Sequence, residues 1–318
     1  MLGDQAPTAV MMVRPDHFRY NQETAASNSF QKAEGRENLK EIRVEAITEF
    51  DGLLLALKAS GVEVIAFSSC NGEDTPDAVF PNNWVSFHPD GMVIIYPMMA
   101  SSRRQERTLD FVTALEKRYL FEIGEIIEIS HYERKGEYLE GTGSLVLDYV
   151  SKIVYANHSP RTSSRLVKKV AKLLGYKVCQ FEAMDDAGQD IYHTNVMMCV
   201  AGSFAVVCLE AVEKPNDRIQ LERSLSGSGH ELIKISREQM NRFAGNMMEL
   251  RNTKGESVLV MSQSAYDSLT SPQIQAIEKY STIVSSPIDT IEKYGGGSVR
   301  CMMAGIYLPR KLSGTWEH

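Results

Sequence analysis

The chain has 318 residues, with 34 Lys and Arg against 41 Asp and Glu, a formal net charge of −7, 43% hydrophobic and 24% charged residues. That composition suits a globular protein with a large core and disfavours a nucleic-acid partner, since nucleic-acid binders present a basic face. Residues 1–13 show no basic start ahead of a long apolar run, and no stretch offers the roughly 20 continuous apolar residues of a membrane span, so the expectation is a cytoplasmic protein that engages neither nucleic acid nor membrane.

In chain order the first element is a helix over 37–60, apolar at Ile42, Ala46, Phe50, Leu53, Leu54 and Leu57. A hairpin follows from Trp84, turning at Pro89-Asp90-Gly91 and returning through Met92 to Tyr96, then a helix within 104–119 and a strand over 126–129. The pattern recurs: a hairpin from Gly141 with its return at Ile153-Val154-Tyr155, a helix over 164–174, a strand over 177–181. Further hairpins open at Thr194 (turning at Gly202-Ser203), at Gly245 (turning at Lys254-Gly255) and at Gly297, with a strand over 232–235 between them. The openings lie 57, 53, 51 and 52 residues apart, which makes about five copies of one ββαβ unit. No such unit buries a core alone. The prediction is therefore one α/β domain over 1–318, closed radially about a pseudo-fivefold axis, with equivalent positions of the units converging at the centre.

Five cysteines (Cys70, Cys179, Cys199, Cys208, Cys301) form an odd set without CxxC spacing, which disfavours a disulfide framework and a structural zinc site. Cys179, Cys199 and Cys208 sit in strand-like apolar runs and read as inert core. The histidines other than His193 lack metal-ligand spacing, and no phosphate-loop, dinucleotide or serine-elbow motif is present, so neither metal nor cofactor is expected. The unusual residues open the repeats: Asn82-Asn83, Glu140, His193 with Asn195, Gly245-Asn246 and Cys301. Singly, each reads most simply as structural. At equivalent places of converging units, a thiol, an imidazole and a carboxylate instead make a nucleophile, a general base and its orienting acid. A nearby imidazolium would lower the thiol pKa. His193 and Asn195, two apart on a predicted strand, would face the same way.

These segments resemble the guanidino-group-modifying superfamily of arginine deiminase, dimethylarginine dimethylaminohydrolase and the amidinotransferases. The resemblance runs from about Val79 to Pro309 and lies in Leu139-Glu140-Gly141-Thr142-Gly143, His158-Ser159-Pro160-Arg161-Thr162, Tyr192-His193-Thr194-Asn195 and Gly295-Gly296-Gly297-Ser298-Val299-Arg300-Cys301. It implies a five-bladed α/β propeller, catalysis by Cys301, His193 and Glu140, and a grip on the substrate α-carboxylate by Arg161, with Arg104 a second basic site. The segment from Asn21 to Gln31, together with Phe80-Pro81-Asn82-Asn83-Trp84, is similar to a bacterial branch that hydrolyses citrulline. Asn83 and Asn195 stand where guanidine-processing relatives carry aspartates. A guanidinium has only donors and favours carboxylates, whereas a ureido group is neutral and carries a carbonyl that an amide NH₂ can satisfy. The expectation is a cofactor-free cysteine hydrolase taking citrulline to ornithine, ammonia and carbon dioxide. The alternatives are an arginine deiminase, a dimethylarginine hydrolase, an amidinotransferase, or a non-catalytic amino-acid-binding protein on the same scaffold. The sequence leaves the oligomeric state and the role of the Asn21 to Gln31 segment open.

Overall fold

A computed structural model describes residues 4–32, 38–69 and 74–311; Cys70 lies outside them. It contains five three-stranded sheets. The first combines β1 (Ala9–Val13) and β2 (Glu63–Phe67). Next come β3 (Val85–Phe87), β4 (Met92–Ile95) and β5 (Glu125–Glu128), then β6 (Val146–Asp148), β7 (Ile153–Asn157) and β8 (Lys177–Phe181). The fourth sheet holds β9 (Met198–Val200), β10 (Phe204–Val207) and β11 (Glu231–Lys234), and the fifth β12 (Met248–Arg251), β13 (Ser257–Ser262) and β14 (Thr282–Ser286). The last strand, β15 (Ala304–Ile306), returns to the first sheet.

One rule generates every sheet. An antiparallel pair such as β6–β7 (Leu147 opposite Val154) is followed by a helix and a parallel third strand, here β8 with Cys179 opposite Tyr155. A parallel strand needs a crossover, and the helix supplies it. In this unit the crossover helix Ser164–Leu174 buries Leu166, Val167, Val170 and Ala171 and ends at Gly175 in the left-handed region, φ +70°. The apolar positions three and four apart place those side chains on one face, and full burial of each Leu or Val contributes about 1.5–3 kcal/mol. The first sheet differs in one respect: β1 pairs in parallel with β2 but antiparallel with β15, so the two ends of the chain together complete one unit.

Burial grades outward. The first strands of the units (β3, β6, β9, β12) are buried almost throughout, whereas β5 is largely exposed. The buried strands touch one another between sheets, β15 with β3, β6 with β9 and β9 with β12. The segments just ahead of β3, β6 and β9 are therefore brought into contact with one another.

Two of these approach segments are not strand, as the periodicity predicts, but single helical turns: Gly141–Ser144 and Thr194–Met197. A threonine ties them together, Thr194 Oγ1 donating to Ser144 O at 2.6 Å while accepting from Asn157 N at 2.8 Å. Gly141 adopts φ +45°, and a Cβ there would fall 2.3 Å from Asn82 O, so only glycine fits where this turn meets the next unit.

His88 sits in the hairpin between β3 and β4, away from Cys301. It is buried with Nε2 2.7 Å from Ser86 Oγ, and burial pulls its pKa down to about 4 although Asp90 opposes the shift. A histidine whose folded pKa lies below its unfolded 6.5 leaves stability intact above that value and removes it as pH falls toward 4. Glu106 and Glu292, raised to about 7 by burial, pull the other way. The readout is therefore the difference between wild type and His88→Gln in urea titrations from pH 7 to 4. It should widen in favour of the variant by up to about 1.4 kcal/mol per pH unit between 6.5 and 4. Parallel curves would show that His88 is not held neutral.

Candidate active site

Glu140 caps the turn at Gly141–Ser144, His193 caps the turn at Thr194–Met197, and Cys301 lies in the turn ahead of β15. All three are buried, Cys301 2% exposed, His193 1% and Glu140 0%. His193 and Cys301 line one small cavity with Asn83, Asp77, Arg103 and Arg161. A cleft of about 530 Å³ between Phe30, Asp185, Phe243 and Glu292 is a separate surface feature that Cys301 does not line. Converging reactive groups identify the site better than volume does.

Glu140 Oε2 meets His193 Nε2 at 2.8 Å and accepts from Arg161 Nη1 at 3.4 Å, while Oε1 accepts from Met99 N at 3.0 Å. Burial alone would raise its pKa, but the Arg161 charge and the His193 bond overcome that and hold it well below the carboxylate range. The carboxylate is charged and requires a proton on His193 Nε2. Nδ1, buried without a partner, is then the free acceptor in the neutral ring.

Burial also dominates at His193. Its pKa falls to about 4, with Glu140 pulling upward and Arg161 and Arg103 pushing down. Burial thus favours the neutral ring of His193. What faces the sulfur is a pair of amides: Asn195 Nδ2 at 3.4 Å and Asn246 Nδ2 at 3.3 Å from Cys301 Sγ. Asn246 Nδ2 also donates to Asn195 O at 2.8 Å, which fixes the two relative to each other.

Asn83 does line the cavity. Its Oδ1 accepts from Arg103 Nη1 at 2.7 Å, and its Nδ2 is buried without a partner. A Cβ on Gly143 would fall 2.4 Å from Asn83 Nδ2 and 2.7 Å from His193 Nδ1, so these two unpartnered nitrogens lie together over a glycine. Asn195 diverges from His193, because the helical turn at 194–197 rotates it away; it contacts Cys301 and lines a second cavity beside Cys199 and Arg300.

Arg161 lines the same cavity as Cys301. It donates to Thr24 O at 2.7 Å and Ser27 Oγ at 2.8 Å and lies over the Tyr192 ring. Arg104 does not reach it. Its guanidinium turns to Met98 O, Met99 O and Glu133, a third exposed, and the preceding Arg103 takes the buried place. Besides Arg103, two further contributors carry no signal in the sequence that marks them out. Asp77 Oδ1 is buried in the cavity wall without a partner, and Asn246 stood at a repeat opening but was given no role. The segment from Asn21 to Gln31 covers the cavity: Asn28 Nδ2 donates to Gly296 O at 3.2 Å and Gln31 Nε2 to Tyr294 O at 3.0 Å.

The remaining described cysteines are buried, with burial pushing Cys199 up to about 12, Cys208 to about 11 and Cys179 also upward, so they remain protonated. Among the described residues no group of three His, Cys, Asp or Glu is placed to hold a metal, and no helix is long and apolar enough to cross a membrane.

The sequence matches, over residues 14–308, the model of the family described as N,N-dimethylarginine dimethylhydrolase, eukaryotic. No curated protein matches it. Among solved structures the chain is similar to ArgZ, an arginine dihydrolase from the ornithine-ammonia cycle in cyanobacteria, with TM-score 0.73 and 15% identity over 95% of this chain and 41% of that one. It is similar to AgrE, TM-score 0.74 and 20% identity, over 96% of this chain and 40% of that one. A dimethylarginine dimethylaminohydrolase bound to S-methyl-L-thiocitrulline gives TM-score 0.61 and 15% identity over 93% of this chain and 98% of that one. The chain thus spans about two fifths of ArgZ and AgrE, while it covers 96% of the isolated N-terminal domain of ArgZ. At these identities the likeness is one of mixed α/β fold.

Proposed function

Because the chain belongs to the N,N-dimethylarginine dimethylhydrolase family, and with it to the guanidino-group-modifying superfamily, we propose that it is a cysteine hydrolase of citrulline. The five sheets would be the blades of one α/β propeller, a single domain over 1–318 with a pseudo-fivefold axis running through the site. One observation carries the choice of substrate: the atom that Asn83 leaves unpartnered in the cavity is a donor, Nδ2. A ureido oxygen satisfies it. A guanidinium, all donors, does not.

In the proposed reaction His193 Nδ1 takes the Cys301 proton, and the thiolate, held by Asn195 and Asn246, attacks the ureido carbon. Glu140 stabilises the imidazolium that forms. His193 then protonates the departing nitrogen, releasing ornithine and leaving a carbamoyl group on the sulfur. Water activated by the same imidazole cleaves that thioester-like bond, and the carbamate decomposes to ammonia and carbon dioxide. Arg161 would hold the α-carboxylate, and the unpartnered Asp77 Oδ1 supplies a carboxylate oxygen for the α-ammonium. No cofactor enters, and the protein would act in the cytoplasm on a free amino acid.

A second reading follows from the structural similarity to ArgZ, an arginine dihydrolase: two hydrolytic rounds on arginine, the second on citrulline. Incubation with arginine, methylarginines and citrulline, assayed for ammonia, ornithine, citrulline and methylamines, separates the two. Ornithine from citrulline, with slower turnover of arginine, is expected. Ornithine from arginine at a higher rate supports the second reading, citrulline accumulating from arginine indicates a deiminase, and binding without turnover indicates an amino-acid-binding protein.

A further inference from the structure

We propose that Arg103 is the residue that sets substrate polarity, by locking the Asn83 amide with its oxygen turned away from the substrate and its NH₂ turned toward it. The inference rests on the ureido reading above and adds what enforces it. An isolated asparagine cannot discriminate between a carbonyl and a cation, because rotation by half a turn exchanges its donor for its acceptor. Asn82, one residue earlier, has no partner at either amide atom. Asn83 has one at Oδ1 only, the Arg103 Nη1 at 2.7 Å.

Arg103 is itself immobilised. It is 2% exposed, its Nε donates to Glu106 Oε1 at 3.0 Å, and its Nη2 donates to Glu106 Oε2 at 2.9 Å and Phe80 O at 3.2 Å. A guanidinium offers no acceptor, so turning the amide would set its NH₂ against an N–H and forfeit a charge-assisted bond. That penalty corresponds to a factor of roughly 10–150 in population. Arg103 lines the cavity, but each of its three guanidinium nitrogens already donates within the protein, so it acts through Asn83 rather than on the substrate directly.

The test reads the ratio of kcat/KM for citrulline to that for arginine. Glu106→Gln, which keeps the Arg103–Asn83 bond, should leave the ratio within about threefold, and Arg103→Lys, still a pure donor, should keep most of it. Arg103→Gln combined with Glu106→Gln, which leaves no unpaired carboxylate at position 106, should lower the ratio by about tenfold or more. In an Asn83→Asp background the same pair should leave the ratio unmoved, since a carboxylate presents an acceptor whichever way it turns. An unmoved ratio in the Asn83 background, with wild type still preferring citrulline, overturns the role of Arg103 while leaving the substrate reading intact. A wild type that prefers arginine overturns both. A neutron crystal structure of Cys301→Ser with citrulline, which tells amide N from O, needs no Arg103 variant: Nδ2 of Asn83 on the ureido oxygen is the expected result, and Oδ1 on the ligand overturns the proposal.

Discussion

Cys301→Ala should fold with near wild-type stability and lose turnover by a factor on the order of 10⁴–10⁶, because covalent catalysis has no substitute in this site. The side chain is 2% exposed and packs among apolar neighbours, so removing its sulfur leaves a small cavity and takes one weak acceptor from Asn195 and Asn246, a modest cost to the fold. The loss should appear in kcat rather than KM, since Asn83, Arg161 and Asp77 still line the cavity. Cys199→Ala is the matched control. Its thiol, pushed up to about 12 by burial, is protonated at neutral pH, and its loss should touch stability alone. Residual activity of Cys301→Ala within tenfold of wild type would remove the covalent mechanism. An intact rate in the presence of iodoacetamide would count against it in the same way.

The reach of the sequence follows from which features are local. Hairpin turns at Gly202-Ser203 and Lys254-Gly255 announce themselves, and their even spacing placed Glu140, His193 and Cys301 at equivalent points of different units. A four-residue helical turn carries no period. Thr194–Met197, rich in β-branched and apolar residues, reads as the start of β9, so the direction of Asn195 was wrong by the rotation such a turn introduces. Arg103 and Arg104 are adjacent in the 3₁₀ segment Ser102–Glu106, where neighbours point about 120° apart. The sequence does hold one usable signal, since Arg103 and Glu106 are three apart and meet within that segment. The contacts of Arg161 with Thr24 and Ser27 span more than 130 residues and have no local signature.

The same rotation changes what Asn195 should do. Read from the sequence, Asn83 and Asn195 form one device for sensing the charge of the substrate, and changing both to aspartate should favour arginine. The structure separates them. Asn83 lines the substrate cavity, whereas Asn195 points its NH₂ at the sulfur, 3.4 Å away, alongside Asn246 at 3.3 Å. Asn195→Asp therefore sets a carboxylate against the nucleophile. Two like charges at that separation repel by on the order of 4 kcal/mol at an effective dielectric constant of about 20, which disfavours the thiolate until one of the groups is protonated. The variant should lose kcat/KM by a factor on the order of 10²–10³ for citrulline and arginine alike, and its rate should rise only at higher pH than in wild type. Asn195→Ala, which removes one of two donors without adding charge, should lose about tenfold. Asn83→Asp should by contrast change the ratio between the two substrates. The measurement is kcat/KM for both substrates across pH in the three variants. If Asn195→Asp instead gained activity on arginine while losing it on citrulline, the amide would be reading the substrate after all, and the assignment of Asn195 and Asn246 to the thiolate would fall.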